Sequence, residues 1–413
     1  MIDMIKISVP FLDTHIQKLQ SGSADFDMSR LMKELGMTLE GAIRYENGKP
    51  IHERLRHKFE SLPSYFASLA YKVCRDDLKG YPYVAIQGNP AKLLTGHNVY
   101  GSDNPELCTF AVVEAFQFAF PELCNYLDWY HSTIDFIDVT YTARLANDTL
   151  AQQALNVLKN ISYGQMKVTE CNHESTVYWN KGSQHLVRKA YLKAPELTKR
   201  IEELTRKLAK EKHDHYAEQI KQLTSPEVKA MADGAIRFEA RLYGRWLKDK
   251  GIQTALGNFT AYASEKMTEL WRLAFQPVFK AFEGATVNAQ DHTQVLNNLR
   301  ITHQRTTPKG NISYSTAEAL YDFYLAIVRD GYSSTKSRIA ERSRATWKRK
   351  EDALLEAGLS RAQLMQFTGE QTNVIPLVRL INVDFGQQLP ANWQEPAPLS
   401  LQAKTRPALK LAS

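Results

Sequence analysis

The sequence predicts an α+β protein, in which an antiparallel sheet flanked by helices is followed by a mostly helical C-terminal region. Three observations carry this reading. Short runs rich in β-branched and aromatic residues alternate with period two and are bounded by turn residues. Ser175 to Trp179 and His185 to Lys193 flank the turn Asn180-Lys181-Gly182-Ser183, the pattern of a hairpin and thus of antiparallel pairing. Beyond about residue 285 such runs give way to apolar residues at helical spacing.

Taken in order, MIKISVPFL (Met4 to Leu12) reads as a strand, with weaker strands at Ala42 to Tyr45 and Leu69 to Val73. Tyr83 to Gln87 is another, ended by Gly88-Asn89-Pro90. Glu106 to Leu127 has helical periodicity. Ser132 to Leu145 alternates as a central strand, placing Asp138, Thr140 and Thr142 on one face and Ile137, Val139 and Tyr141 on the other. A helix at Leu150 to Asn160 precedes the hairpin. Pro195 to Leu223 follows it as a long charged helix or helical pair, and Ala235 to Tyr243 as a further strand. Tyr314 to Asp330, Ser337 to Ala357 and Arg361 to Gln366 read as helices, the last behind the N-cap residue Ser360. From Pro390 the chain is Pro- and Ala-rich and is expected to be loosely ordered. The organisation expected is a domain over 1–285, a helical basic domain over 286–390 and a tail over 391–413.

The chain has 413 residues, more than one core comfortably serves. Lys and Arg outnumber Asp and Glu by 52 to 45, which favours a polyanionic partner, nucleic acid or an anionic membrane surface. No amphipathic helix with a strong apolar face supports the membrane, no run of 18 apolar residues occurs, and no signal peptide is expected. The four cysteines lack zinc-site spacing and suit a reducing compartment. The absence of GxxxxGK[ST] argues against an ATP-driven motor, and GxSxG, HExxH and GxGxxG are absent as well.

Four features could carry chemistry. In AYLK (Ala190 to Lys193), Tyr191 and Lys193 are two apart on a strand and share a face. A nearby cation eases ionisation of a phenol whose free pKa is about 10 and offsets phosphate charge. Tyr-x-Lys is also common in ordinary sheets. Asp138 and Glu239 each stand in an apolar strand, where a carboxylate needs a partner. They could hold a divalent ion, or they could form buried ion pairs with Arg144, Arg237 or Arg241. Glu174 beside His173 is a weaker third ligand. Gly88 to Ser102 is rich in turn residues and brings Lys92 and His97, donors suited to phosphate, although a plain connecting loop fits equally. Finally, Lys336 to Lys350 holds seven basic residues against Glu341. As one helix it would gather Arg338, Arg342 and Arg349 around Trp347, with Lys336, Arg344 and Lys348 adding charge for DNA phosphates. Helix, Gly358 and a Ser-capped helix also hint at a helix-turn-helix.

At these residues the chain resembles the replication-associated endonucleases of filamentous bacteriophages. The resemblance runs nearly end to end, through MIDM at the start, FESLP (Phe59 to Pro63), PAKLLTGHNVYG (Pro90 to Gly101) and IDVTYTAR (Ile137 to Arg144). It continues in ESTVYWN (Glu174 to Asn180), AYLK, RFEAR (Arg237 to Arg241), KAFEG (Lys280 to Gly284) and NVIPLVRLINVDF (Asn373 to Phe385). It implies a rolling-circle replication initiator that nicks the viral strand through a 5′-phosphotyrosyl link at Tyr191 and later rejoins the displaced strand. Lys193 would support the phosphate charge, and Asp138 and Glu239 would bind Mg²⁺ or Mn²⁺. Lys92, His97, Arg241 and the basic run would hold DNA. More distantly the family is similar to plasmid initiators of the His-hydrophobe-His class. No such pair occurs here, so the metal site expected is carboxylate-rich or mixed. Implied partners are the phage origin, as supercoiled duplex and displaced single strand, the host polymerase and helicase, and further copies on DNA, in the bacterial host's cytoplasm. A non-catalytic origin-binding or repressor protein is the alternative. His185, on the strand of Tyr191, is a candidate proton acceptor.

Overall fold

A computed structural model describes residues 1–18, 24–25, 33, 40–46, 49–56, 60–61, 69–74, 81–161, 168–169, 175–212, 214–263, 266–282, 287–367 and 383–398. Its centre is an antiparallel sheet of nine strands among the described residues: β1 (Ile2–Pro10), β2 (Glu60–Ser61), β3 (Ala70–Cys74), β4 (Tyr83–Gly88), β5 (Thr133–Arg144), β6 (Val168–Thr169), β7 (Thr176–Trp179), β8 (Leu186–Leu192) and β9 (Ala235–Tyr243). The spatial order is β6-β7-β8-β9-β5-β1-β4-β3-β2. Helices flank this sheet and dominate the C-terminal region, so the α+β reading holds. No helix among the described residues is long and apolar enough to cross a membrane.

Period-two alternation gives β5, β8 and β9 two unlike faces. Ile137, Val139, Tyr141 and Ala143 of β5, Ala190 and Leu192 of β8, and Ile236, Phe238, Ala240 and Leu242 of β9 are all buried. They share one face of the sheet. The helix Met267–Lys280 packs on these three strands, and its Trp271 donates its indole N–H to the Phe238 carbonyl at 3.0 Å. The opposite face of the same strands carries the charged residues described below.

Several helix boundaries differ from the sequence reading, each for a local reason. The helix begun at Pro105 ends at Ala119, because Phe120 precedes Pro121 and is driven out of the helical region (φ −136°). The charged stretch is a pair, Lys193–Glu211 and Asp214–Leu223, separated by Lys212 in the left-handed conformation (φ 55°). Lys193 opens that helix instead of ending the strand of Tyr191. Ser337 to Ala357 is also not one helix: a turn at 341–343 divides it, and Ser343 caps the new helix by accepting from the Thr346 N–H.

The C-terminal helices return to the sheet region. The Val287 N–H donates to the Gly358 carbonyl at 3.0 Å, the Ala362 N–H to Ala281 at 2.8 Å, and the Gln366 amide to Val157 at 3.1 Å. The tail departs from expectation as far as residue 398. Trp393 lies edge-on to Tyr100 with ring centroids 5.5 Å apart, and Ser102 donates to Glu395. Just before it, Gln388 accepts from the Thr142 N–H at 2.8 Å and donates to the Thr142 carbonyl at 2.9 Å. Residue pairing between β1 and β5 stops at Val139, so a side-chain amide completes the ladder where a neighbouring strand is missing.

Candidate active site

The polar face is assembled by strand register. Tyr191 of β8 stands opposite Arg237 of β9, which stands opposite Thr142 of β5. One step along, Lys189, Glu239 and Thr140 form the next row, and Arg241 and Asp138 the third. Residues two apart on a strand share a face, so these rows form one continuous patch. Helix Lys193–Glu211 then folds Lys193 back over it.

Tyr191 is 6% exposed and encircled by cations. The Lys189 ammonium lies 4.3 Å from its ring centroid and that of Lys193 6.0 Å. The Arg237 guanidinium adds a third positive charge that favours the phenolate. Burial pushes the phenol's pKa up, against the pull of Lys189 and Arg237 toward phenolate. Those two cations are the means by which a buried phenolate could be tolerated.

A neighbouring loop closes over the patch. Arg237 donates to the carbonyls of Asn98 and Val99, while its Nε has no hydrogen-bond partner among the described residues. Lys193 donates to the Asn98 side-chain oxygen at 3.1 Å and to Glu196. Asp3 accepts from Asn89 at 2.9 Å and Asn98 at 3.0 Å. Its burial favours the neutral acid, but Arg237, Lys193 and Lys189 outweigh this and hold its pKa below the ordinary value. Burial, with Arg237 adding repulsion, lowers Lys193 to about 8. Burial likewise lowers His97 to about 4, with Lys193 and Arg237 assisting, so at neutral pH the ring is uncharged. Half-buried Lys92 is also lowered by desolvation.

The two strand carboxylates are both paired. Asp138 accepts two hydrogen bonds from Arg241, each 2.7 Å, and Glu239 accepts from Lys189 at 2.9 Å. Burial, opposed by Arg241 and reinforced by Glu239 and Asp3, raises Asp138 to about 7. A hard divalent ion needs oxygen lone pairs that face it. Here both Asp138 oxygens face a guanidinium, and no group of three His, Cys, Asp or Glu suited to a metal occurs among the described residues. As arranged, these residues do not fit a metal ion. Arg241, expected to hold DNA, is instead the partner of Asp138 and lies 4.1 Å from the Phe136 ring centroid.

The structure thus brings Tyr191, Lys193, Asp138, Glu239, Arg241 and the Lys92–His97 segment to one side of the sheet. It adds Asp3, Asn98, Lys189 and Arg237, which sequence reasoning did not assign to the site. Lys189 and Arg237 had a readable signal, since each falls on the Tyr191 or Glu239 face by parity. The position of Asp3 depends on a register irregularity between Ile2 and Met4 that no pattern announces. His185 does not reach the phenol. It lies six residues away, about 20 Å along the strand, and it pairs with Asp249 at 2.7 Å. His173 and Glu174 lie outside the described residues. Lys336, Arg338, Arg342, Arg344, Lys348 and Arg349 lie on the C-terminal helices and their connecting turn, all exposed.

Two family models match the chain. One, described as the N-terminal part of a phage replication-associated protein, covers residues 1–261, and the other, the C-terminal part of the same protein, covers residues 306–399. Among curated relatives, the replication-associated protein of Enterobacteria phage M13 is 37% identical over 409 residues, 96% of this chain and 99% of the relative. That of Enterobacteria phage f1 matches equally, and that of Salmonella phage IKe is 34% identical over 410 residues, 96% of both chains.

Proposed function

Because the chain belongs to the family of filamentous-phage replication-associated proteins, we propose that it initiates rolling-circle replication by nicking the viral strand with Tyr191. The observation that carries this reading is the placement of the buried Tyr191 phenol among three cations, half-buried Lys189 and buried Lys193 and Arg237.

The Tyr191 oxygen attacks the scissile phosphorus, the P–O3′ bond breaks, and the released O3′ takes a proton to become the hydroxyl that a host polymerase extends. Arg237 and Lys189 favour the phenolate, and Lys193 offsets charge on the phosphate. The tyrosyl ester keeps the phosphodiester's bond energy. A later 3′-hydroxyl can therefore attack it, regenerate the phenol and close the displaced strand without ATP. With Tyr191 almost wholly covered, DNA reaches the phenol only after the Asn98 segment parts from Arg237 and Lys193. Those donors then become available to phosphate. Mg²⁺ or Mn²⁺ belongs to this reading on the resemblance alone, and the steps above use only the chain's own side chains. The exposed basic residues of the C-terminal helices are proposed to hold the duplex.

The test incubates purified protein with labelled fragments of its own phage genome, with Mg²⁺, Mn²⁺ or EDTA, and resolves the products on a denaturing gel. A covalent protein–DNA band that disappears in Tyr191→Phe supports both mechanism and nucleophile. A band that persists assigns the attack to another residue. Tight binding without breakage favours the non-catalytic origin-binding reading.

A further inference from the structure

The C-terminal region contains an arrangement that the nicking chemistry does not use. Helices α1 (Ser315–Asp330), α2 (Tyr332–Ala340) and α3 (Arg344–Glu356) each pack against the other two. Gly331 (φ 83°) separates α1 from α2, a backbone angle that L side chains rarely adopt. Only the residues 341–343 separate α2 from α3, a connection of the length found in helix-turn-helix units.

The inner face of α3 is fixed by Trp347, Glu351 and Leu354, at i, i+4 and i+7. Trp347 meets Phe323 at 5.4 Å and Tyr332 at 5.2 Å between ring centroids. Glu351 accepts from the Tyr332 hydroxyl at 2.5 Å and pairs with Arg361 at 3.2 Å. These anchors leave Arg344, Ala345, Lys348 and Arg349 exposed at the N-terminal half of α3. The exposed edge therefore offers three cations and a small residue, with no acid among them. One turn on, Asp352 is held by Lys348 at 2.6 Å and Arg361 at 3.2 Å.

A small hairpin stands beside this helix. His303, at the end of the helix His292–His303, bonds the Ala353 carbonyl of α3 at 2.8 Å. The chain then runs straight into paired strands at Arg305–Thr306 and Ile312–Ser313. Arg305 and Lys309 are exposed there.

We propose that α2 and α3 form a helix-turn-helix that sets the Arg344, Lys348 and Arg349 edge into the major groove of duplex DNA, while the 305–313 hairpin grips the flanking backbone. An α-helix fits the roughly 12 Å major groove, and residues near the N-terminus of the second helix meet base edges in this geometry. Arginine reads guanine O6 and N7 bidentately, whereas a lysine on a hairpin neutralises phosphate without reading sequence. This deepens the proposed function because it rests on the chain acting on DNA. It does not depend on Tyr191 being the nucleophile.

The experiment uses the full-length chain carrying Tyr191→Phe, so that no adduct at this position removes DNA from the binding equilibrium, and a random-sequence duplex pool about 25 base pairs long, enough for two turns of major groove. Repeated selection is expected to enrich one short motif. Arg344→Ala and Arg349→Ala should each cut the preference for that motif over random duplex by about tenfold, with unchanged circular dichroism. Lys309→Ala should weaken motif and random duplex equally and reduce the slope of log K against log salt by about one. Failure to enrich a motif, or an unchanged preference in both arginine variants, would overturn the proposal. So would selective binding of single strands. None of these results bears on whether wild-type protein forms the tyrosyl adduct.

Discussion

The sheet patch around Tyr191 and the exposed edge of the helix Arg344–Glu356 are both rich in cations, yet they differ in how those cations are held. Lys193 is 1% exposed and tied to Asn98 and Glu196, whereas Lys348 is 59% exposed and pairs with Asp352 a turn away. Buried charges need partners because water cannot solvate them. Removing one member therefore strands another. On the helix edge water replaces any lost partner, so single changes there should leave folding intact and alter only what the surface attracts. Charge alone does not identify a catalytic region. The useful distinction is whether the fold has confined the charge.

The sharpest break in this comparison is Tyr191→Phe, which removes one oxygen from the confined patch. It is expected to lower nicking by at least about 10³-fold, with the thermal midpoint little changed, as read by adduct formation on gels. Next comes Arg241→Gln, which leaves the buried Asp138 carboxylate without its two hydrogen bonds. The expected loss is about 3 kcal/mol of stability, measured by urea unfolding. A loss below about 1 kcal/mol, the range of an exposed pair, would show that the two are not structurally confined.

Gln388→Ala tests whether the strand ladder depends on the segment that precedes the tail. It leaves the Thr142 N–H and carbonyl unpaired at a cost of about 1–3 kcal/mol, visible as a lower thermal midpoint. A pH profile probes Lys193 itself. Its ammonium is lost as pH rises through about 8, so kcat/KM for nicking should fall above that pH. Lys193→Arg should carry the plateau to higher pH, because a guanidinium keeps its charge. An identical alkaline limb in both proteins would remove Lys193 from the charge-stabilising role. The smallest effect on folding is expected for Lys348→Ala, within about 0.5 kcal/mol, accompanied by a shallower salt dependence of DNA binding.

Legibility followed the range of the physics. Alternation in IDVTYTAR and RFEARL was enough to separate an apolar face from a polar one, and the Asn180–Ser183 turn was enough to pair the strands of Tyr191. The placement of Asp138, Glu239 and Tyr191 on one face follows from β5, β9 and β8 being consecutive neighbours, an order that chain position does not reveal. Pro121 and Ser343 carried readable stop and start signals that helical periodicity masked.

The sequence by itself therefore determined the α+β class, the strand faces, the family and the tyrosine's candidacy, because period, turn chemistry and ordered motifs act locally along the chain. Only the tertiary structure decided which partner each charge finds: Arg241 on Asp138, Lys189 on Glu239, and Arg237 and Lys193 on the oxygens of the Asn98 segment above Tyr191. Those choices join residues up to 139 positions apart. They depend on strand order and burial, which raise the cost of an unpaired charge only after the sheet has closed over it.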